Sequence, residues 1–350
     1  MNIIFKKIFS LLICAIASTG IVFSLFIYSQ NINHQKNSFT RLFPPHFLSK
    51  PRLLELSLNS FYLAGYTKSN FFLGNRTAAA FVLQSNYSLS DTQHLILRTP
   101  ASISIIASAI RVMIDSPDVF MLEGITPRKL SGHFPNLVMT EDNFVGPPFN
   151  AVITLSKGSL LLRAYDDSLH KNILVSSNAV GKEIRLFPNI LVAIGDGVFS
   201  LDGNISKDFT TGNIVYVYFY RNEFVCLDSN IKVIYQGHTI DSIQTPHIKL
   251  SRILSDQATT FSAPPLMVNY TACANADYLF VNSKLKAKNE DDLSFKENSV
   301  IDIYSLKSGE YRYSFYIPDH DHGKIKSFQV VDHKLVALYD HSLLTFWMQY

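Results

Sequence analysis

The chain is 350 residues long, 47% hydrophobic and 17% charged, with a formal net charge of +3. That composition excludes a disordered chain and supplies a sizeable core for one large domain or two ordinary ones. The small net charge, with no basic patch interleaved with aromatics, argues against a nucleic-acid partner.

The first element in the chain is apolar. After Lys6 and Lys7 comes the uncharged run "IFSLLICAIASTGIVFSLFIY", Ile8 to Tyr28. At ~1.5 Å per residue it is long enough to cross a hydrocarbon layer of ~30 Å. A cleaved signal peptide is the competing reading. Cleavage after "AIA", Ala15 to Ala17, would leave a greasy mature end, and a secretory apolar region is usually only ~7–15 residues long. An uncleaved signal anchor is therefore expected, bound to membrane lipid through this helix. Lipidation of Cys14 is disfavoured, because Ile13 stands where lipoprotein signals carry a small residue. The lysines precede the run and no positive charge follows until Lys36. The positive-inside rule then puts the N-terminus in the cytoplasm and the bulk of the chain outside, periplasmic or extracellular according to host.

Next, "SQNINHQKNSFTRLFPPHFLSKPR" is polar and broken by Pro44, Pro45 and Pro51, and reads as a juxtamembrane spacer. The expected layout is a cytoplasmic stub (1–7), the anchor (8–28), the spacer (29–57) and one domain (58–350).

From Asn59 onward, short apolar runs alternate with turn residues. "SFYLAGY" and "SNFFLGN" open the series, and "SISIIASAIRVMID" (Ser102 to Asp115), rich in β-branched isoleucine, reads as part of a strand pair. "AVITLSKGSLLLRAYDDS", "NILVAIGDGVFSLDGN" and "NIVYVYFYRNEFVCLDSNIKVIYQG" follow. Their turn groups, such as "YRNE", "LDSN" and "KSGE", carry the Gly/Asn/Asp chemistry of hairpins. Tyr311, Tyr313, Phe315 and Ile317 alternate with Arg312, Ser314 and Tyr316, which predicts a strand of period two. "LVALY", Leu335 to Tyr339, is apolar throughout, as a strand buried on both faces should be. There is little room for crossover helices, so the sheets should be antiparallel. About 290 residues of hairpins are too many for one sandwich, and they point to a β-propeller of about six or seven blades at ~40–50 residues each.

The end of the chain carries a resemblance. "VIDIYSLKSGEYRYSFYIP", a polar loop, and then "IKSFQVVDHKLVALYDHSLLTFW" resemble a blade junction in six-bladed propellers of the NHL and TolB-like kind. In those, an outer hairpin turning on a glycine, here Gly309, ends in a proline, and the inner strands of the next blade follow. The resemblance implies one closed six-bladed propeller. Closure is expected through an early strand around Phe61 to Gly65 pairing near Leu343 to Trp347.

The candidate chemistry is sparse. "IPDHDHGK", Ile317 to Lys324, sets two histidines two apart, but it lies between proline and glycine and lacks further ligands at defined spacing, so it reads as a turn rather than a metal site. "GDGVFS", Gly195 to Ser200, lacks the third small residue and helix start of a dinucleotide fingerprint and reads as a hairpin. Neither a cofactor-binding motif nor a nucleophile elbow is found, and catalytic residues stay unassigned. Outside the cytoplasm, Cys226 and Cys273 would form a disulfide or remain two buried thiols. Sequons at Asn75, Asn86, Asn204 and Asn269 would be accessible on an exported domain of a eukaryote. The expected function is a membrane-anchored binding or accessory module with a protein partner at the extracytoplasmic face. The alternative is a channel-centred enzyme of hydrolase, lactonase or quinoprotein type.

Overall fold

The computed structural model describes residues 9, 11–24, 38–103, 106–179, 181–252 and 259–349. The fold is all-β and propeller-like. After β1 (Arg52–Glu55), four-stranded antiparallel sheets follow one another in chain order. The first comprises β2 (Phe61–Tyr66), β3 (Asn70–Asn75), β4 (Phe81–Asn86) and β5 (Thr92–Ile96). The second comprises β6 (Ile110–Asp115), β7 (Asp118–Glu123), β8 (Arg128–His133) and β9 (Thr140–Glu141), and meets the first through one parallel pair, Gly65 with Ile114. Next come β10 (Phe149–Thr154), β11 (Leu160–Asp166), β12 (Lys171–Ser177) and β13 (Ile184–Phe187). These are followed by β14 (Gly203–Lys207), β15 (Ile214–Tyr218), β16 (Glu223–Leu227) and β17 (Val233–His238). A hairpin of β18 (Leu250–Arg252) and β19 (Thr259–Phe261) then precedes β20 (Asn269–Asn275), β21 (Tyr278–Ser283), β22 (Asn298–Ser305) and β23 (Tyr311–Pro318). The last sheet holds β24 (Ser327–Val331), β25 (Lys334–Leu338) and β26 (Ser342–Trp347), and β1 completes it from the other end of the chain.

Strand alternation explains why the sheets stack side by side. In β25, Leu335 and Ala337 pack among Phe280, Phe315 and Phe346, towards the β20–β23 sheet. Val336 and Leu338 pack among Phe71, Leu73 and Leu83, towards the first sheet. In β15, Tyr216 and Tyr218 face Leu161 and Leu174 while Val215 and Val217 face Leu279 and Val281. A strand with sheets on both sides must be apolar at every position, and each fully buried large side chain contributes about 1.5–3 kcal/mol of transfer free energy.

The segment drawn above as a spacer is largely part of the folded body. Arg41 is fully buried against Asp302 and Glu290 of the β20–β23 region. Its backbone exchanges hydrogen bonds with the Asn289 side chain, at 2.9 and 2.8 Å. Phe43 stacks on Tyr316 at 4.6 Å, and Phe47 packs on Phe315 at 4.7 Å. The chain then runs into β1, where Arg52 pairs with Thr345 and Glu55 with Ser342. Residues 38–57 are thus an arm that straps the last two sheets together. The prolines keep it out of helix, and it bends once in a turn at Pro45 and His46, where His46 takes φ of 52°.

Closure therefore differs in detail from the expectation. β1 pairs with β26, and Phe61 to Gly65 lies in the inner strand of the first sheet, with Phe61 paired to Asn75. The period of two in β23 also breaks once. The register shifts so that Ile303 faces Tyr313 while Tyr304 faces Tyr311, and this bulge moves Tyr311 to the face of Leu279 and Tyr304. Strand pairing in the Ser102 to Asp115 stretch begins at Ile110, after a turn of 3-10 helix at Ala107–Ala109.

At the N-terminus, residues 9 and 11–24 are helical and exposed. The remainder of Ile8 to Tyr28, and residues 29–37, lie outside the described residues. Among the described residues no helix is long and apolar enough to cross a membrane.

Candidate functional site

The first strands of the successive sheets, β2, β6, β10, β14, β20 and β24, neighbour one another in a ring, with β24 returning to β2. Their side chains line a central cavity of about 250 Å³, to which Tyr66, Met113, Thr154, Ser206, Thr271 and Gln329 each contribute from a different strand. The ring is tight where β2 meets β6. A Cβ on Gly65 would lie 2.1 Å from the Ile114 carbonyl oxygen, so only glycine permits the backbones to approach this closely.

At one end of the ring, β2, β6, β10 and β14 border a wider mouth, a cavity of about 640 Å³. Three arginines line it, Arg76 after β3, Arg111 in β6 and Arg163 in β11, and its described lining residues include no carboxylate. Arg163 is already committed to the wall. Its guanidinium donates to Asn150 at 2.8 Å and to the Tyr216 hydroxyl at 2.8 Å, and meets Asp202 at 3.1 Å. Burial holds the Asp202 carboxyl above its usual value, and the adjacent Arg163 opposes that shift.

Arg111 and Arg76 are placed differently. Both lie against the ring of Tyr62, at 4.2 and 5.8 Å from its centroid. The Tyr62 hydroxyl accepts the Val112 N–H at 2.7 Å, which anchors the ring in the wall. Burial in that wall raises the Tyr62 hydroxyl. The Arg111 guanidinium is held below its ordinary value, first by the surrounding protein and further by the like charge of Arg76, with Tyr62 opposing. Its side chain nevertheless remains exposed to the channel solvent.

The opposite mouth, about 240 Å³, mixes its charges. Lys207 meets Asp115 at 3.4 Å and lies 4.2 Å over the Phe209 ring, which Tyr66 contacts edge-on at 4.9 Å.

The residues that stood out in the sequence lie elsewhere. In "DHDHG", the His320 and Gly323 backbones pair while Asp321 and His322 take φ of 48° and 60°, so the motif is a two-residue hairpin turn. Asp319 meets Lys324 at 3.2 Å. Among the described residues no group of three or more His, Cys, Asp or Glu is placed to hold a metal ion. "GDGVFS" is not a hairpin. Asp196 accepts the backbone N–H groups of Val198 and Ser200, tightening the chain into a turn of 3-10 helix at Phe199–Leu201.

Cys226 and Cys273 are free thiols, both buried, and burial raises the value of each. Alternation explains why they do not bond. Cys226 packs with Ala272 and Ala274, whereas Cys273 points through the other face of β20 towards Phe328 and Val330. Of the sequons, Asn75 and Asn269 are buried, the latter donating to the carbonyls of Tyr218 and Arg221. The arginine mouth was missed in the sequence. Its signal was there in "IRVMID", where Arg111 and Met113 share the face opposite Ile110, Val112 and Ile114.

No family model matches the chain, and no curated protein matches it. Solved structures do. A member of the DUF4221 family from Bacteroides vulgatus superposes with a TM-score of 0.51 at 12% identity, over 90% of this chain and 99% of that one. A Bacteroides fragilis protein described as exported gives 0.53 at 11% identity, over 90% of this chain and 99% of its own. Likeness at these identities is a likeness of fold.

Proposed function

We propose that the chain is a membrane-tethered, extracytoplasmic propeller of six blades that binds a partner at its central channel and is not an enzyme. The observation that carries this reading is the ring of six inner strands around a channel to which each of those strands contributes a side chain. Such a channel is where propellers place ligands. The blade count rests on the same ring, with β18 and β19 as an inserted hairpin. General acid–base chemistry usually calls on a carboxylate or histidine beside the reacting atom. The described lining of the waist and of the arginine mouth contains neither, while Asp115 and Asp332 line the opposite mouth.

The tether in this reading is the apolar run Ile8 to Tyr28. Because the folded body already includes residue 38, the link is residues 29–37, which can reach at most ~30 Å fully extended. That would hold the channel near the bilayer and near membrane partners at high effective concentration.

The test places a photoreactive residue at Gln329 in the waist, and another at exposed Tyr165, in the full chain in its own membrane. The reading expects an adduct at Gln329 and none at Tyr165. An empty channel position, or a substrate turned over and then lost on Thr154→Ala or Gln329→Ala, would overturn it.

A further inference from the structure

We propose that the arginine mouth is a binding site for an oxyanion, a carboxylate or phosphate group carried by a small organic molecule that enters the channel. The inference rests on reading the channel as a binding site, and it names the chemistry of the ligand.

Three observations carry it. First, Arg76 and Arg111 converge on the single ring of Tyr62, at 5.8 and 4.2 Å. Two like charges gathered on one ring repel each other. Neither meets a carboxylate in the described structure, while the third arginine of the mouth is matched to Asp202 at 3.1 Å. Second, both side chains are exposed to the cavity, so their N–H groups are available to a ligand. The planar guanidinium fork suits carboxylate and phosphate oxygens, and a cleft lined by one sign of charge concentrates the opposite ion. Third, the cavity that they face is large enough for an organic body, at about 640 Å³, and Met113, Phe149 and Phe219 give it apolar surface. Asn204 adds a buried side-chain oxygen with no hydrogen-bond partner, which a ligand hydroxyl or ammonium would satisfy. The shift of Arg111 agrees, since an anion between the two guanidinium groups would relieve the repulsion from Arg76.

The experiment uses the full-length protein in detergent. Inorganic phosphate and citrate are titrated calorimetrically at constant ionic strength, with chloride as the control, into wild type, Arg76→Gln, Arg111→Gln, the double variant and the remote surface variant Lys307→Gln. At least one probe should bind, with its affinity at least tenfold weaker in each single arginine variant and unchanged in Lys307→Gln. Which probe binds distinguishes a carboxylate ligand from a phosphate one. Without probe at low ionic strength, Arg111→Gln should melt no lower than wild type, because removing one of two like charges relieves strain. Heats that do not exceed the chloride control would overturn the proposal, as would affinity that survives in the double variant. An Arg111→Gln variant that melts well below wild type would mark Arg111 as structural and overturn it too. An adduct at Gln329 without oxyanion binding would sink this inference alone, and loss of both would sink the channel reading with it.

Discussion

Replacing Arg41 by alanine should be among the most damaging single changes in the molecule. The guanidinium donates to Asp302 at 2.7 and 2.9 Å and to the Leu285 carbonyl at 2.9 Å, and it also pairs with Glu290. The arginine and Glu290 side chains are 0% exposed, and that of Asp302 is 2% exposed. The pair with Asp302 and Glu290 raises the arginine's value despite burial, so the cation is retained. In Arg41→Ala two buried carboxylates would lose their shared cation. Breaking a buried pair from one side costs about 3–5 kcal/mol, against a total stability of about 5–15 kcal/mol for an ordinary domain. Urea unfolding of the full-length protein can be followed by fluorescence of the single tryptophan, Trp347, which lies in β26 and meets Arg52 at 5.3 Å. The midpoint should fall by an amount corresponding to ~3 kcal/mol or more at an unchanged slope. Neutralising the whole cluster with Arg41→Met, Glu290→Gln and Asp302→Asn should recover most of that loss, because no uncompensated charge then remains. An Arg41→Ala protein within ~1 kcal/mol of wild type would refute the reasoning, since that is the scale of a solvent-exposed pair.

A chain that begins at Asn59 should fail to unfold cooperatively, whereas one that begins at Ser38 should match the full-length transition; equal transitions would show that β1 and the arm are dispensable to closure. Gly65→Ala should cost ~1–3 kcal/mol or more, because the new Cβ meets backbone that cannot rotate away; a thermal melt at the wild-type temperature would contradict this. Asp241 is raised by burial, against hydrogen bonds from Thr239 and Ile243. A raised carboxyl favours the fold while protonated, below about pH 3.9, and that contribution is lost as pH rises through the folded value. Asp241→Asn should therefore gain on wild type as the pH is taken from acid to neutral, and a gain in the opposite direction would show the carboxylate to be stabilising.

Much of the architecture could be read from neighbouring residues. "LVALY" announces a strand buried on both faces, and Leu335 and Val336 duly face different sheets. Gly309, at φ of 74°, and Pro318 bracket β23 as the resemblance to propeller junctions implied. "DHDHG" is a turn because its flanking residues are turn residues. These features are local, set by side-chain period and by which residues tolerate positive φ. What lay beyond the sequence joins positions far apart. Arg41, in a polar and proline-broken stretch, reads as solvated, and only the closed ring brings Asp302 and Glu290 around it. Cys226 and Cys273 look pairable until β20 turns Cys273 to its far face. Arg76 and Arg111 both reach the Tyr62 ring because β2, β3 and β6 come together in space; the alternation in "IRVMID" marks the face of Arg111 but not the partner it shares that ring with. Local pattern specifies most of the short antiparallel strands and the two-sided burial of β25, but not β1, the arm before it or the 3-10 turn at Phe199–Leu201. The tertiary structure decided which end of the chain closes the ring and which charges meet at its centre, because a local period carries no information about partners tens or hundreds of residues away.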